Sequence, residues 1–380
     1  MALSQPFVEF KLERLLSAYE HDVEINLSES GVRPLTTREL LAMQGGDVDA
    51  ALAALADTGL DYPKANGSLE LRQAIAAWYP GATAANVLVT VGAIQANFTS
   101  LLTVTEPGDL IAVMQPNYQQ FWGLAQNLGR TMTTFSLKQH RDWALDLDEL
   151  QDAVAPHTRF VAVVNPNNPT GRILHAGERA RIIAGAERTG AWLLADEVYA
   201  GAERATDEFT PSFYGQYDKV LAVGSMSKAY GLPGLRIGWV VGPAETIERM
   251  WAWQDYITIC ATRLGNKLAA VALSPAVRPQ ILARTRGYVR RGFDIVARWA
   301  AARDDVEVLP PDAAAVCFVR YAEKINSTEL VMRLLQEKST FVAPGDLFGL
   351  DGHLRVSFGL PDEYVTEGLA RIGALLDSVE

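Results

Sequence analysis

The 380 residues include 34 Lys and Arg against 45 Asp and Glu, a formal net charge of -11, and that acidic balance argues against a nucleic-acid partner. Hydrophobic residues make up 49% and charged residues 21%, the proportions of a globular chain and not of a disordered one. Two cysteines, Cys260 and Cys317, are too few for a disulfide framework, and a reducing cytoplasm is expected. Glu9 and Glu13 stand where a secretory leader needs an apolar run, and no stretch approaches the roughly 18 apolar residues of a membrane span.

In chain order, the first 40 residues fit no regular pattern and are expected to pack with a smaller C-terminal domain. From 41 to 275 a large domain is expected, because short apolar runs alternate with amphipathic ones. The apolar runs are 86–92, 109–116, 159–166, 191–197, 219–225 and 236–242. Each is rich in Val, Ile and Leu and stops at Gly, Pro or a polar residue, as strands buried on both faces do. Helical patterns lie between them, at 93–104 and 176–190. The fold class read from this is α/β, a three-layer large domain on a mostly parallel sheet with a smaller α+β domain at 276–380. A long helical region is predicted over 245–303, with Pro275 and Pro279 as its breaks. Strands at 306–310, 315–321 and 354–359 and helices at 327–337 and 361–378 follow.

The chemistry concentrates in a few strings. In GSMSKAYGLPGLRIGW (224–239) a strand runs into a Ser-rich turn bearing Lys228, and Arg236 follows eight positions later. A lysine at a strand end in apolar surroundings has a depressed pKa, and its neutral amine can form a Schiff base. Ser225, Ser227 and Arg236 offer hydroxyls and a forked cation suited to a phosphate. The competing reading is a solvated surface lysine, which the rest of the string disfavours. LLADEVY (193–199) puts Asp196 at the C-terminal end of an apolar strand, where open α/β sheets bind ligands, with Tyr199 three residues on. Taken alone, Asp196 reads more readily as a helix cap. VVNPNNPTG (163–171) is a strand and an Asn/Pro turn whose amides, Asn168 among them, point into a cleft unless it is an ordinary β-turn. In TVGAIQAN (90–97) Gly92 precedes a helix start, so the N–H groups of Ala93 and Ile94 form a phosphate seat. Tyr118 follows another strand, where its ring either covers a flat cofactor or packs in the core.

Together these strings, in their order and spacing, resemble the class I/II aminotransferases, the fold type I enzymes that use pyridoxal 5′-phosphate. DYPKANGSLELRQAI (61–75) is similar to that family's Tyr…Gly…Leu-Arg segment, and LRVSFG (354–359) to its C-terminal arginine motif. Within the family, SESGVRPLTTREL (28–40), DYITI (255–259) and FVAPGDLFG (341–349) most resemble the capreomycidine-synthase-like subgroup.

The resemblance implies roles. Lys228 holds the cofactor as a Schiff base and then shuttles a proton; Asp196 pairs with the pyridinium nitrogen; Asn168 and Tyr199 bond the ring's 3′ oxygen; Tyr118 stacks on the ring. Ser225, Arg236 and the amides after Gly92, at Ala93 and Ile94, take the phosphate, and Tyr62 reaches it from the second subunit of a homodimer with shared active sites. Arg355 grips the carboxylate of a small amino-acid substrate, and Asn168 and Gly31 lie against that substrate. Glu29, beside Gly31, is read as pairing with a basic or polar substrate side chain; the alternative is a salt bridge to Arg33 or Arg38. Two departures are visible. Ala93 and Ile94 bring no hydroxyl or amide to the phosphate seat, and PDAAA (311–315) replaces a Pro-x-Gly-Gly turn, so that Ala313 and Ala314 are expected to narrow the substrate's approach.

Transamination and a lyase, cyclase or oxidative deaminase reaction share one Cα chemistry and stay open. Ser225–Lys228 also matches the S-x-x-K signature of serine acyl-enzymes, but S-D-N and K-T-G are missing from the chain. No metal is expected, since the five histidines show no paired ligand spacing. A non-catalytic sensor of a transcription regulator lacks length for a DNA-binding domain. Trp251, Trp253 and Tyr256 are read as core packing, with the lining of a pocket for a bulky substrate as the alternative.

Overall fold

The computed structural model describes residues 7–322 and 324–379. Its strands to residue 241 are β1 (Ile25–Asn26), β2 (Val87–Thr90), β3 (Leu110–Gln115), β4 (Thr131–Lys138), β5 (Ala144–Leu145), β6 (Thr158–Val164), β7 (Trp192–Asp196), β8 (Val220–Ser225) and β9 (Gly238–Val241). All six apolar runs become strands of one eight-stranded sheet, in the order β2-β9-β8-β7-β6-β3-β4-β5. The five strands from β8 to β4 are parallel, and β9 runs antiparallel to both its neighbours. β2 and β8 are buried along their whole length, which is why they read as unbroken apolar runs. β4 and β5 were not expected. β4 is only half-buried, so Thr131–Thr134 break the apolar signature.

The remaining strands are β10 (Val306–Val308), β11 (Val316–Tyr321), β12 (Thr340–Phe341), β13 (Ala343–Pro344) and β14 (His353–Ser357). Four of them form an antiparallel sheet in the order β10-β11-β14-β13, while β1 pairs in parallel with β12. Leu27 extends that tie, donating to Phe341 O and accepting from Ser357 N. The helix Lys11–Tyr19 also places Leu12, which is fully buried, in the core of the large sheet.

The helical region after 244 differs from its prediction. It is three helices, Ala244–Asp255, Arg263–Leu273 and Arg278–Ala301. The break near Pro275 is present, but Pro279 lies inside the first turn of the last helix, where its missing N–H costs nothing. A second break, which no proline announces, runs from Tyr256 to Thr262: Ile259 is left-handed (φ 64°) and Thr262 caps the next helix by accepting from Gly265 N. Among the described residues no helix is long and apolar enough to cross a membrane, and no group of three His, Cys, Asp or Glu is placed to hold a metal ion.

Candidate active site

Parallel strands that end together place their C-terminal residues along one edge. β7 ends on Asp196 and β8 on Ser225; Lys228 lies three residues beyond β8, and Asn168 lies in the loop after β6. Antiparallel β9 sets Gly238 opposite both Ser225 and Thr90, which brings the helix starting at Gly92 to the same edge. There a cavity of about 410 Å³ is walled by Lys228, Asp196, Tyr199, Asn168, Tyr118, Ser225, Arg236, Ala93, Ile94, Arg355 and Glu29. The three expected site residues that do not wall it are Gly92, Gly31 and Tyr62. Gly92 (φ 74°) has Arg236 Nη2 only 2.5 Å from where a Cβ would sit, so a side chain there would push the guanidinium off the helix end. Gly31 passes over the lysine turn, its Cβ position 3.3 Å from Ser227 O. Tyr62 is 77% exposed and outside the cavity.

At the phosphate-type end, Ser225 Oγ accepts from Ser227 N at 2.9 Å, and the two hydroxyls are 2.9 Å apart. Arg236 is left-handed (φ 51°), and its Nη1 donates to Pro233 O at 3.1 Å. Val91, the cap of the helix Gly92–Val104, contributes no side-chain cap, so the first amides of that helix meet no side chain of the cap. Gly238 is required here: a Cβ would lie 2.4 Å from Ala93 N. Two hydroxyls, a guanidinium and a helix N-terminus make an anion seat even though Ala93 and Ile94 add only backbone.

The middle of the cavity holds titratable groups that burial has displaced. Asp196 is pushed up to about 6 by burial, although Asn97 Nδ2 donates to it at 2.8 Å and Val198 N at 3.2 Å. Tyr199 is pushed up to about 12, again by burial, with the Arg355 charge and the Ser30 hydroxyl opposing. Lys228 keeps some solvent access through the cavity, yet the walls lower its ammonium to about 8; burial dominates, the Arg355 charge adds to it, and Glu29 and Glu13 act in the opposite direction.

Arg355 lies on β14, is 2% exposed, and donates to Asn168 Oδ1 at 3.0 Å and to Ser28 O at 2.5 Å. Its Nε has no acceptor and no carboxylate pairs with it among the described residues. A buried guanidinium in a cavity wall with no carboxylate partner is built to meet an anion.

Several residues of the site were not foreseen. Asn97 and Gln120 wall the cavity; Asn97 holds Asp196 and donates also to Gln120 Oε1 at 3.2 Å. Asn97 lies one turn after Ala93 on the same helix face, which was the available signal. Glu13, Glu20, Ser28 and Ser30 enter from the N-terminal segment, and the Tyr118 hydroxyl donates to the Glu13 carboxylate. Glu29 pairs with neither expected arginine: Arg33 pairs with Glu39 and Arg38 with Asp49. Two readings are corrected. Ala313 and Ala314 are fully buried and do not wall the cavity; Ala314 packs behind Val198 and Tyr199, which do. Tyr256, read as core, is 89% exposed, and Trp253 is 42% exposed.

Residues 34–372 match the family model "Aminotransferase class I and II". The chain belongs to the class I and II aminotransferase family. Among curated relatives it is 31% identical over 370 residues to capreomycidine synthase of Streptomyces vinaceus, covering 95% of this chain and 92% of that one. It is 28% identical over 338 residues to an aspartate aminotransferase of Streptomyces avermitilis, covering 84% and 82%. Among solved structures, a PLP-dependent aminotransferase from Streptococcus suis superposes with a TM-score of 0.91 at 29% identity, covering 100% of this chain and 99% of that one. The PLP-dependent cyclase OrfR does so at 0.87 and 27%, covering 99% and 98%. The chain is therefore an aminotransferase-family enzyme, with relatives in both transamination and cyclisation.

Proposed function

We propose that the chain binds pyridoxal 5′-phosphate through Lys228 and acts at Cα of an amino acid in specialised amino-acid biosynthesis. The observation that carries this is the placing of Lys228, Asp196 and Arg355 around one cavity, with none of the three in a salt bridge among the described residues. The residues fit that cofactor. The buried Asp196 carboxylate would pair with its pyridinium nitrogen, Tyr199 and Asn168 would bond its ring oxygen, Tyr118 would cover a ring face, and Ser225, Ser227, Arg236 and the Gly92–Ile94 amides would hold its phosphate. When bound, the group supplies an aldehyde that condenses with amines and a ring that accepts electrons from Cα.

The chain's own residues do the rest. Lys228 is low enough to be largely neutral above pH 8, so its Nζ can take a proton from Cα and return it. Arg355 holds the substrate carboxylate, with Asn168 and Ser28 fixing the guanidinium plane. Glu13, Glu20 and Glu29 line the wall contributed by the N-terminal segment and favour a substrate whose side chain is cationic or a strong hydrogen-bond donor. Tyr62, together with the exposed Leu60, Tyr256, Ile257 and Ile259, supports a homodimer that completes the phosphate seat.

A lyase or cyclase outcome is the second reading. It is supported by the acidic wall and by the likeness to a synthase and a cyclase. One experiment separates the two: purified protein with the cofactor is mixed with single amino acids, and products are followed with and without a keto-acid acceptor. Acceptor-dependent turnover supports transamination; turnover without acceptor supports elimination or cyclisation. No change of the cofactor's absorbance with any amino acid would refute both.

A further inference from the structure

Behind the Ser225 end of β8 lies a second cavity, of about 430 Å³, which shares only Val198 and Ser225 with the active cavity. Six aromatic side chains, Trp78, Tyr79, Phe209, Tyr214, Tyr230 and Trp239, form part of its walls. Arg278 also lines it and is 4% exposed. The guanidinium carbon lies 3.2 Å from the centre of the Trp78 ring and 4.7 Å from that of Phe209, so rings cover it. Its Nε donates to Tyr230 Oη at 2.8 Å.

No carboxylate pairs with Arg278 among the described residues. On the same helix, Arg286 pairs with Glu203 and Arg290 with Asp207. A cation this deeply buried without a counter-charge is costly, and the mechanism does not use it. An anion in the cavity supplies the missing charge. The cavity also has an acidic pole. Glu197 is buried, and Ser212 Oγ at 2.9 Å and Phe213 N at 2.8 Å both donate to its Oε1. Its Oε2 has no donor among the described residues. One cation, one carboxyl and aromatic walls in a space of this size have the complementarity of a small zwitterion with an apolar body.

We propose that this cavity is a second ligand site that takes an apolar α-amino acid, its carboxylate on Arg278 and its ammonium on Glu197. The site touches the active cavity through a short path. Trp239 lies flat on Gly224, where a Cβ would be 2.3 Å from the indole, and the next residue is Ser225 of the phosphate seat. A ligand pressing on Trp239 therefore acts on the strand end that holds Ser225.

The test uses full-length protein supplied with pyridoxal phosphate and labelled with 5-fluorotryptophan. The ¹⁹F signals of Trp78 and Trp239 are assigned with Trp78→Phe and Trp239→Phe. L-phenylalanine is expected to shift both signals saturably, 3-phenylpropionate to bind about tenfold more weakly, and phenethylamine not to bind. The shift is expected to persist in Arg355→Met, in which the active cavity loses its carboxylate grip. Arg278→Met is expected to weaken phenylalanine binding about tenfold or more, with Arg278→Lys between it and the parent. Should Arg278→Met fail to fold, the three-ligand series on the parent protein decides alone. Unmoved signals, equal shifts by phenethylamine, or loss of the shift in Arg355→Met would each overturn the site.

Discussion

At the strand-edge end of the active cavity, Asp196, Ser225 and Lys228 are carried by β7, β8 and the turn after them, and their neighbours are set by sheet register. At the opposite wall, Glu13, Glu20 and Glu29 come from a segment whose only strand among the described residues is the two-residue β1. The first end is largely buried, and that burial raises Asp196 and lowers Lys228 from their ordinary values. The second is more exposed; Glu29 has no ion-pair or hydrogen-bond partner among the described residues. The difference suggests a division of labour. In the proposed function the sheet edge would perform the chemistry and the N-terminal segment would select what reaches it.

Substitutions at the two ends should separate in size and kind. The largest effect is expected at Lys228: Lys228→Ala should lower turnover on the order of 10⁴-fold, measured by single-turnover kinetics with the cofactor added. Next, Arg355→Met should lower kcat/KM by about 10²- to 10³-fold, and Arg355→Lys should recover only part, because an ammonium lacks the flat fork. On the other wall, Glu29→Gln should raise KM roughly 5- to 10-fold for cationic amino acids and leave kcat and neutral substrates unchanged. A parallel loss for neutral substrates would erase the proposed division.

Two pH effects refine the account of the buried end. Lys228 must be neutral to condense with an aldehyde, and its ammonium is lowered to about 8. Cofactor uptake by the apoprotein, followed by stopped-flow absorbance, should therefore rise with pH and level off above 8, running about tenfold slower at pH 7 than on the plateau. The smallest effect concerns stability. Burial raises Glu197 from 4.5 to about 7, so the folded chain keeps a proton that the unfolded chain loses. Stability from this group is full below about pH 4.5 and falls as pH rises toward 7. Glu197→Gln should flatten that part of the melting-temperature profile; an unchanged profile would remove Glu197 as its source.

The sheet edge was legible because each of its residues is local to a strand that announces itself. Asp196 ends an apolar run, Lys228 and Arg236 share one string, and Asn168 follows a third run, so residue type and strand end were enough. What the sequence did not show rests on contacts no local pattern encodes. At the sheet edge Asn97 reaches Asp196 across 99 positions, and at the other wall Arg355 reaches Ser28 across 327. Glu13 gives no sign in the sequence that it will accept from the Tyr118 hydroxyl. Glu29 was visible only because it adjoins Gly31. The break at 256–262 escaped for a similar reason: Ile259 takes a left-handed conformation that glycine usually marks. Ala313 and Ala314 misled because a change of residue type in a family turn does not tell which side of the wall it faces.

The central claim is that Lys228 carries pyridoxal phosphate, and borohydride fixation tests it most directly. Protein incubated with the cofactor, reduced, digested and analysed by mass spectrometry should yield one pyridoxyl-phosphate adduct, on the peptide containing Lys228, near one per chain. Absence of the adduct, or its appearance on another lysine while Lys228 stays unmodified, would contradict the account.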